Sequence, residues 1–171
     1  MSTDRRSILK GLAAAGLVMA GLPWAQAKPV ADLPAGAPAP RSVTSLVSGS
    51  ALDAAFLSGV RQGAQGEGHG LAAQPLKGLE AGTYVQLNRL LQDGEPTLLV
   101  GLLDDAAATL VLDLVRSHGG RVLALQTHRV GADAAPWAQA LGQALVSPPN
   151  PTPVAPTAHA GRTYVSLSCV I

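Results

Sequence analysis

Two adjacent carboxylates have the position that acid–base or metal chemistry would require. Asp104 and Asp105 follow Thr97–Leu103, a nearly continuous apolar run that predicts a buried parallel strand. Such a pair could bind a cation, or act as acid and base if burial moved the two pKa values apart. The structural alternative is an N-cap and a solvated acidic first turn of the following helix.

His128 lies at the end of the next strand-like segment, within Gln126-Thr127-His128-Arg129. If its strand is the neighbour of 97–103, His128 approaches Asp104 or Asp105 and completes an acid–base or metal-binding pair. The alternative is an exposed histidine at a strand end. Thr127 beside it is a candidate ligand contact, because ligands of α/β proteins bind at the carboxyl ends of strands.

A third candidate site is the segment Ser48-Gly49-Ser50, which precedes a predicted helix. Its backbone N–H groups and hydroxyls could hold an anion at the helix N-terminus. The alternative is that Ser50 only caps the helix and Gly49 makes the turn. Ser48, Gly49 and Ser50 are therefore candidates for ligand binding.

Other chemistry has no sequence signature. The four histidines have neither mutual spacing nor cysteines that would indicate zinc, and no G-x-S-x-G or G-x-G-x-x-G element occurs. We therefore predict no metal site and no cofactor.

The order of periodic segments predicts an α/β fold. We expect a three-layer sandwich with a mostly parallel sheet of four to five strands, Rossmann-like or flavodoxin-like. The C-terminal segment alternates apolar and polar residues, which is typical of a half-buried edge strand that could run antiparallel. The predicted strands are 42–48, 71–76, 97–103, 121–130 and 163–171, with a helix after each of the first four.

Helical periodicity predicts which side chains face the core. The inward-facing sets are Leu52, Phe56 and Val60; then Val85, Leu87, Leu90 and Leu91; then Leu110, Val111, Leu114 and Val115; and last Trp137, Leu141 and Leu145. Ser50, Thr83, Asp104 or Asp105, and Asp133 are predicted helix caps.

The N-terminal residues have a pattern that is typical of a targeting signal. Arg5 and Arg6 precede Ser7, two aliphatic residues and Lys10, and no further charge occurs before Lys28. This pattern resembles the twin-arginine (Tat) export signal of bacteria, with Ile8 where phenylalanine is frequent. The resemblance covers residues 1–27 and implies recognition by the Tat translocase, which moves proteins that have already folded.

Ala25-Gln26-Ala27 offers the small-x-small pattern at which signal peptidase cleaves, with Ala25 and Ala27 as the small residues. We expect a periplasmic protein without a stable membrane anchor. An uncleaved anchor and an ordinary secretion signal are the alternatives. The predicted organisation is a signal peptide (1–27), a Pro/Ala-rich tether (28–40) and one α/β domain (41–171) with a proline-rich arm (147–157).

Charge and composition limit the partners. Cleavage would remove Arg5, Arg6, Lys10 and Asp4 from a chain of 12 basic and 11 acidic residues, which leaves a net charge near −1. Such a chain, with few aromatic residues, is a poor candidate for binding nucleic acid. The single cysteine, Cys169, cannot form an internal disulfide and is predicted to face the core.

These patterns favour a non-catalytic accessory, binding or assembly protein. The proline-rich tether and arm could reach a protein partner, and the arm also permits exchange of the last strand between two copies. The alternative is a small enzyme or ligand-binding domain that uses Asp104, Asp105 and His128 at the carboxyl edge of the sheet. The sequence identifies neither ligand nor oligomeric state.

Overall fold

Strands and helices alternate along the chain in the computed structural model, which describes residues 39–72, 75–78, 80–147, 152–156 and 161–171. The predicted export signal and most of the tether lie outside the described residues. The strands are β1 (Ser42–Val47), β2 (Gly70–Leu71), β3 (Leu76–Lys77), β4 (Thr97–Leu103), β5 (Arg121–Val130) and β6 (Arg162–Val170). The helices are α1 (Asp53–Glu67), α2 (Ala81–Gln92), α3 (Asp105–Ser117) and α4 (Ala135–Val146).

The described sheet is mixed. β1 pairs in parallel with β4 and with the short strands β2 and β3. β6 lies between β4 and β5 and runs antiparallel to both, which gives the order β2-β1-β4-β6-β5, with β3 also paired to β1. The predicted α/β class is confirmed, and the predicted mostly parallel sheet is confirmed only in part. The expected edge position of the C-terminal strand is wrong.

β6 occupies the interior because both of its faces can be buried. Val165, Leu167 and Cys169 belong to one core cluster. On the other face Ser166 is 2% exposed, because its hydroxyl makes hydrogen bonds inside the fold. Alternating serines therefore do not mark a solvent-facing side here, since a small hydroxyl that is hydrogen-bonded can be buried.

The sheet separates two core clusters, and this confirms the three-layer arrangement. One cluster joins the sheet to α1 and α4, and the other joins it to α2 and α3. In the layer that α2 and α3 form, Leu87 is buried, whereas Val85 is 48% and Leu110 is 59% exposed. Both were predicted to face inward. A helix turns 100° per residue, so a side chain one or two positions from a buried one can face solvent.

Helices α1 and α4 are in backbone contact. A Cβ atom at Gly59 would lie 1.9 Å from the carbonyl oxygen of Gln139, and one at Gly142 would lie 2.3 Å from that of Phe56. Only glycine fits at such a distance, and the two helices rest on the sheet as one closely packed layer.

The edge of the sheet beyond β1 consists of two short strands. β2 and β3 have two residues each, and Pro75 directly precedes β3.

Among the helices of the described ranges, none combines the length and the apolar character needed to cross a membrane.

Candidate functional site at the carboxyl edge of the sheet

The predicted site residues lie near or after the carboxyl ends of strands, but only some of those strands are neighbours. β1 and β4 lie side by side, so the loop after Val47 and the residues after Leu103 share one stretch of this edge. β6 separates β4 from β5. Ser48-Gly49-Ser50 and Asp104 are therefore placed after adjacent strands, and His128 is not.

The loop after β1 already binds an anionic group, which is the side chain of Asp53. Oδ2 of Asp53 accepts a 2.8 Å hydrogen bond from the backbone N–H of Gly49, and Oδ1 accepts a 2.6 Å bond from the hydroxyl of Ser50. Gly49 has φ +83°, a conformation that favours glycine. An external anion at this loop would have to displace the carboxylate of Asp53.

Ser50 does not cap α1 in the predicted way. The N-cap residue is Leu52, which makes no side-chain capping bond. Ser50 accepts a 3.2 Å hydrogen bond from the backbone N–H of Leu52 through its hydroxyl oxygen and donates to Asp53. Its role is to hold the turn into the helix. A role of Ser48, Gly49 or Ser50 in ligand binding remains a prediction.

Asp104 is the N-cap of α3, as the capping alternative predicts. Its Oδ1 accepts a 2.8 Å hydrogen bond from the backbone N–H of Ala107. Asp105 is exposed in the first helical turn, where a negative charge suits the helix dipole. Each carboxylate therefore has a structural role.

Replacing Asp104 with alanine should lower the free energy of unfolding by about 1 kcal/mol, because α3 loses its capping bond. Asp105→Ala is the matched control and should cost about 0.5 kcal/mol or less, since it removes only a dipole interaction. Urea denaturation at pH 7.5 measures both values. Equal losses in the two variants would contradict the capping role.

His128 does not approach the two aspartates as expected. It lies opposite Tyr164 of β6, and Leu103 lies opposite Val165. Two strand spacings, about 10 Å in total, therefore separate the ends of β4 and β5. The predicted acid–base pair required the strands 97–103 and 121–130 to be neighbours. That prediction is wrong.

His128 is buried rather than exposed at the strand end. It is 3% exposed, and its Nε2 lies 2.8 Å from the hydroxyl of Ser166. Its ring meets the ring of Trp137 edge-on at 4.9 Å. Burial lowers the pKa of His128 to about 4, because the imidazolium form would lose its hydration. The side chain is therefore a neutral, hydrogen-bonded part of the core at pH 7.

Trp137 connects this core to the proline-rich arm. Its Nε1–H donates a 3.2 Å hydrogen bond to the carbonyl oxygen of Pro153, and Ala155 packs against the same core cluster. Val154 between them is 93% exposed. The described part of the arm, 152–156, thus lies along α4.

Two further predicted helix caps are wrong. The N-cap residue of α2 is Glu80 and not Thr83, and that of α4 is Ala134 and not Asp133.

Two shallow pockets lie beyond the end of β5. The first has a volume of about 520 Å³, and its lining includes Val130, Gly131, Arg162 and Tyr164. The second, of about 620 Å³, lies between Trp137 and the arm. Arg162 and Tyr164 were not predicted as site residues. Their place at this edge depends on the antiparallel insertion of β6, for which the sequence has no local signal.

Cys169 is fully buried, as predicted. Burial raises the pKa of its thiol to about 12, partly offset by the nearby charge of Arg116. We expect Ellman's reagent at pH 8 to modify the native protein more than about a thousandfold more slowly than the guanidinium-unfolded chain, because thiolate is the reactive form. Comparable rates in the two states would contradict this burial.

Comparison of the chain with models of protein families, with curated proteins and with solved structures finds no significant match. Within the described residues, His, Cys, Asp and Glu side chains form no group of three that could hold a metal ion. The fold and the site thus define an α/β sandwich whose candidate catalytic side chains serve as a helix cap, a first-turn charge and a core residue.

Proposed function

We propose that the chain is an exported, non-catalytic accessory protein that binds or helps to assemble a protein partner in the periplasm. One observation carries the non-catalytic part of this proposal. The polar groups expected to do chemistry have partners inside the fold: Asp104 caps α3 and His128 faces Ser166. The export part is carried by Arg5, Arg6 and the small residues Ala25 and Ala27.

Binding of a protein partner is supported by the surface. Large apolar side chains remain accessible on α2, α3 and β5, where Tyr84 is 52%, Leu110 is 59% and Leu125 is 40% exposed. Each of these side chains is accessible to a partner, and such residues form an interaction surface where they lie together. A Tat signal fits such a role, because a partner bound in the cytoplasm could cross the membrane with the folded protein.

Purification of a C-terminally tagged chain from two compartments tests this function. The precursor is isolated from the cytoplasm of a strain without the Tat translocase, and the mature form is isolated from wild-type periplasm. We expect one stoichiometric partner with both forms. Arg5→Lys together with Arg6→Lys is the matched control, which keeps the charge and should block export. A chain that is alone in both compartments would refute the accessory role.

Ligand binding at the carboxyl edge is the second candidate, favoured by the pocket of about 520 Å³ beside Arg162 and Tyr164. An arginine and a phenol at one pocket suit a small carboxylate or phosphate. Calorimetric titration with inorganic phosphate and with citrate tests it. Binding that Arg162→Gln abolishes would support this second function, and the absence of heat with either probe would count against it.

A further inference from the structure

Strand β5, which has ten residues, forms one edge of the sheet in the described part of the chain. Among the described strands it pairs only with β6, whereas the opposite edge of the sheet consists of two-residue pieces. β5 contains neither proline nor glycine. A long unpaired edge presents N–H and C=O groups to which another strand can bind.

The hydrogen bond of Ser166 indicates which backbone groups of β5 face outward. Gln126 lies directly opposite Ser166, and the Ser166 hydroxyl donates to the Gln126 carbonyl oxygen at 3.5 Å. The carbonyl of Gln126 therefore points towards β6. Because successive residues of a strand point their backbone groups to opposite sides, those of Leu125 and Thr127 point to the open edge. Both side chains are also exposed.

Helix α3 lies on the same side of the sheet as Leu125. Leu125 is opposite Leu167, which belongs to the core cluster under α3. On α3, Leu112 is 8% exposed and belongs to the cluster that α2 also joins. Leu125 is itself 40% exposed and offers aliphatic contact to an added strand on this side of the sheet.

The formally charged side chains of β5 and β6 are all positive. β5 and β6 contain Arg121, Arg129 and Arg162 and no aspartate or glutamate. The low pKa of His128 leaves that side chain neutral at pH 7. A second copy of the chain would bring the same arginines to the edge, whereas a strand with carboxylates would pair with them.

We propose that the open edge of β5 binds an extended segment of a partner protein, in which aliphatic residues alternate with other residues and carboxylates lie near the end beside Arg129. Its backbone pairs with Leu125, Thr127 and Arg129, and its carboxylates pair with the exposed side chains of Arg129 and Arg162. Its aliphatic side chains lie over Leu125 on the α3 side of the sheet. This assignment rests on the proposed accessory function and specifies the chemistry of the partner.

A peptide library tests the proposal on the mature protein purified from periplasm. Random 12-residue peptides displayed on phage are selected on the wild-type protein, and enriched sequences are then synthesised. We expect alternating aliphatic residues with at least two carboxylates, and weaker binding in NaCl. Thr127→Pro should weaken binding at least about tenfold, because it removes an outward N–H that β6 does not use. Thr127→Val keeps that N–H and should bind normally.

Arg129→Glu provides a second variant that leaves the backbone intact and should also weaken binding at least about tenfold, by reversing a charge at the edge. Circular dichroism establishes whether each variant is folded. If Thr127→Pro is unfolded, Arg129→Glu decides the test. No enrichment, peptides without carboxylates, or unchanged binding to Arg129→Glu would overturn the proposal. A dimer in sedimentation that Thr127→Pro dissociates would assign the edge to a second copy instead.

The two proposals fail in different ways. If a cellular partner co-purifies but Arg129→Glu does not release it, the accessory function stands and the β5 assignment is wrong. If the selected acidic peptides bind and no partner co-purifies in either compartment, the edge binds as proposed and the accessory function is wrong.

Discussion

Replacing Gly59 with alanine is expected to lower the free energy of unfolding by about 3 kcal/mol or more, or to prevent folding at 37 °C. The added Cβ would lie 1.9 Å from the carbonyl oxygen of Gln139 and 2.8 Å from its carbon. No rotamer change can relieve this contact, because both atoms belong to the backbone of α4. The two helices would have to separate, and the core cluster between them and the sheet would open.

Gly66→Ala is the matched control, since it makes the same chemical change in the same helix. A Cβ at Gly66 meets nothing within 4 Å. Alanine there should stabilise the protein by up to about 1 kcal/mol, because it has the higher helix propensity. Urea denaturation gives both changes. Similar stability of the two variants would show that α1 and α4 are not in backbone contact.

The second large effect is an acid-sensitive stability that comes from His128. Its pKa is about 4 in the folded protein and about 6.5 in an unfolded chain. Between these values the unfolded state binds more protons. Protonation of His128 therefore costs the folded protein no stability above pH 6.5, and the free energy of unfolding falls as the pH drops from 6.5 towards 4. At pH 4.5 this single group should have removed about 2.5 kcal/mol of the stability measured at pH 7.5.

Comparison with His128→Phe isolates this contribution from the carboxylates that also titrate. Free energies of unfolding are measured in urea from pH 7.5 to 4.5 for both proteins. The variant loses the bond to Ser166 and is less stable at pH 7.5, but its pH dependence should be shallower by the His128 contribution. Parallel curves for the two proteins would indicate that His128 is hydrated in the folded state.

Features that depend on nearby residues could be predicted from the sequence. Asp104 was predicted among the caps because an aspartate before a helix has its partner three residues away. β5 was predicted with the bounds that the structure gives it, since its pattern is local. Leu110 was placed on the wrong side of its helix, because three consecutive aliphatic residues, 110–112, do not indicate which two are innermost.

The arrangement of the site could not be predicted, because it depends on strand order. Nothing near His128 or Asp104 indicates that a strand from 162–170 lies between them. The alternating serines of that strand resemble an exposed face, and the burial of Ser166 depends on its hydrogen bonds to His128 and Gln126, which are distant in the sequence. The residue pattern of a segment predicts where its strand begins and ends. The neighbours of that strand in the sheet depend on contacts between residues that are far apart in the sequence.

The position of β6 has a consequence for the nascent chain. β4 and β5 are synthesised before the strand that joins them, and they have no native pairing with each other. Until β6 is made, the seven residues of β4, all buried in the finished fold, have a free edge. Such an edge is prone to wrong pairing, and its closure by a contact so distant in the chain is slow. A chaperone that shields β4 on the ribosome would improve the yield of folded protein. An export route that accepts only folded proteins could not act until β6 has been synthesised and paired.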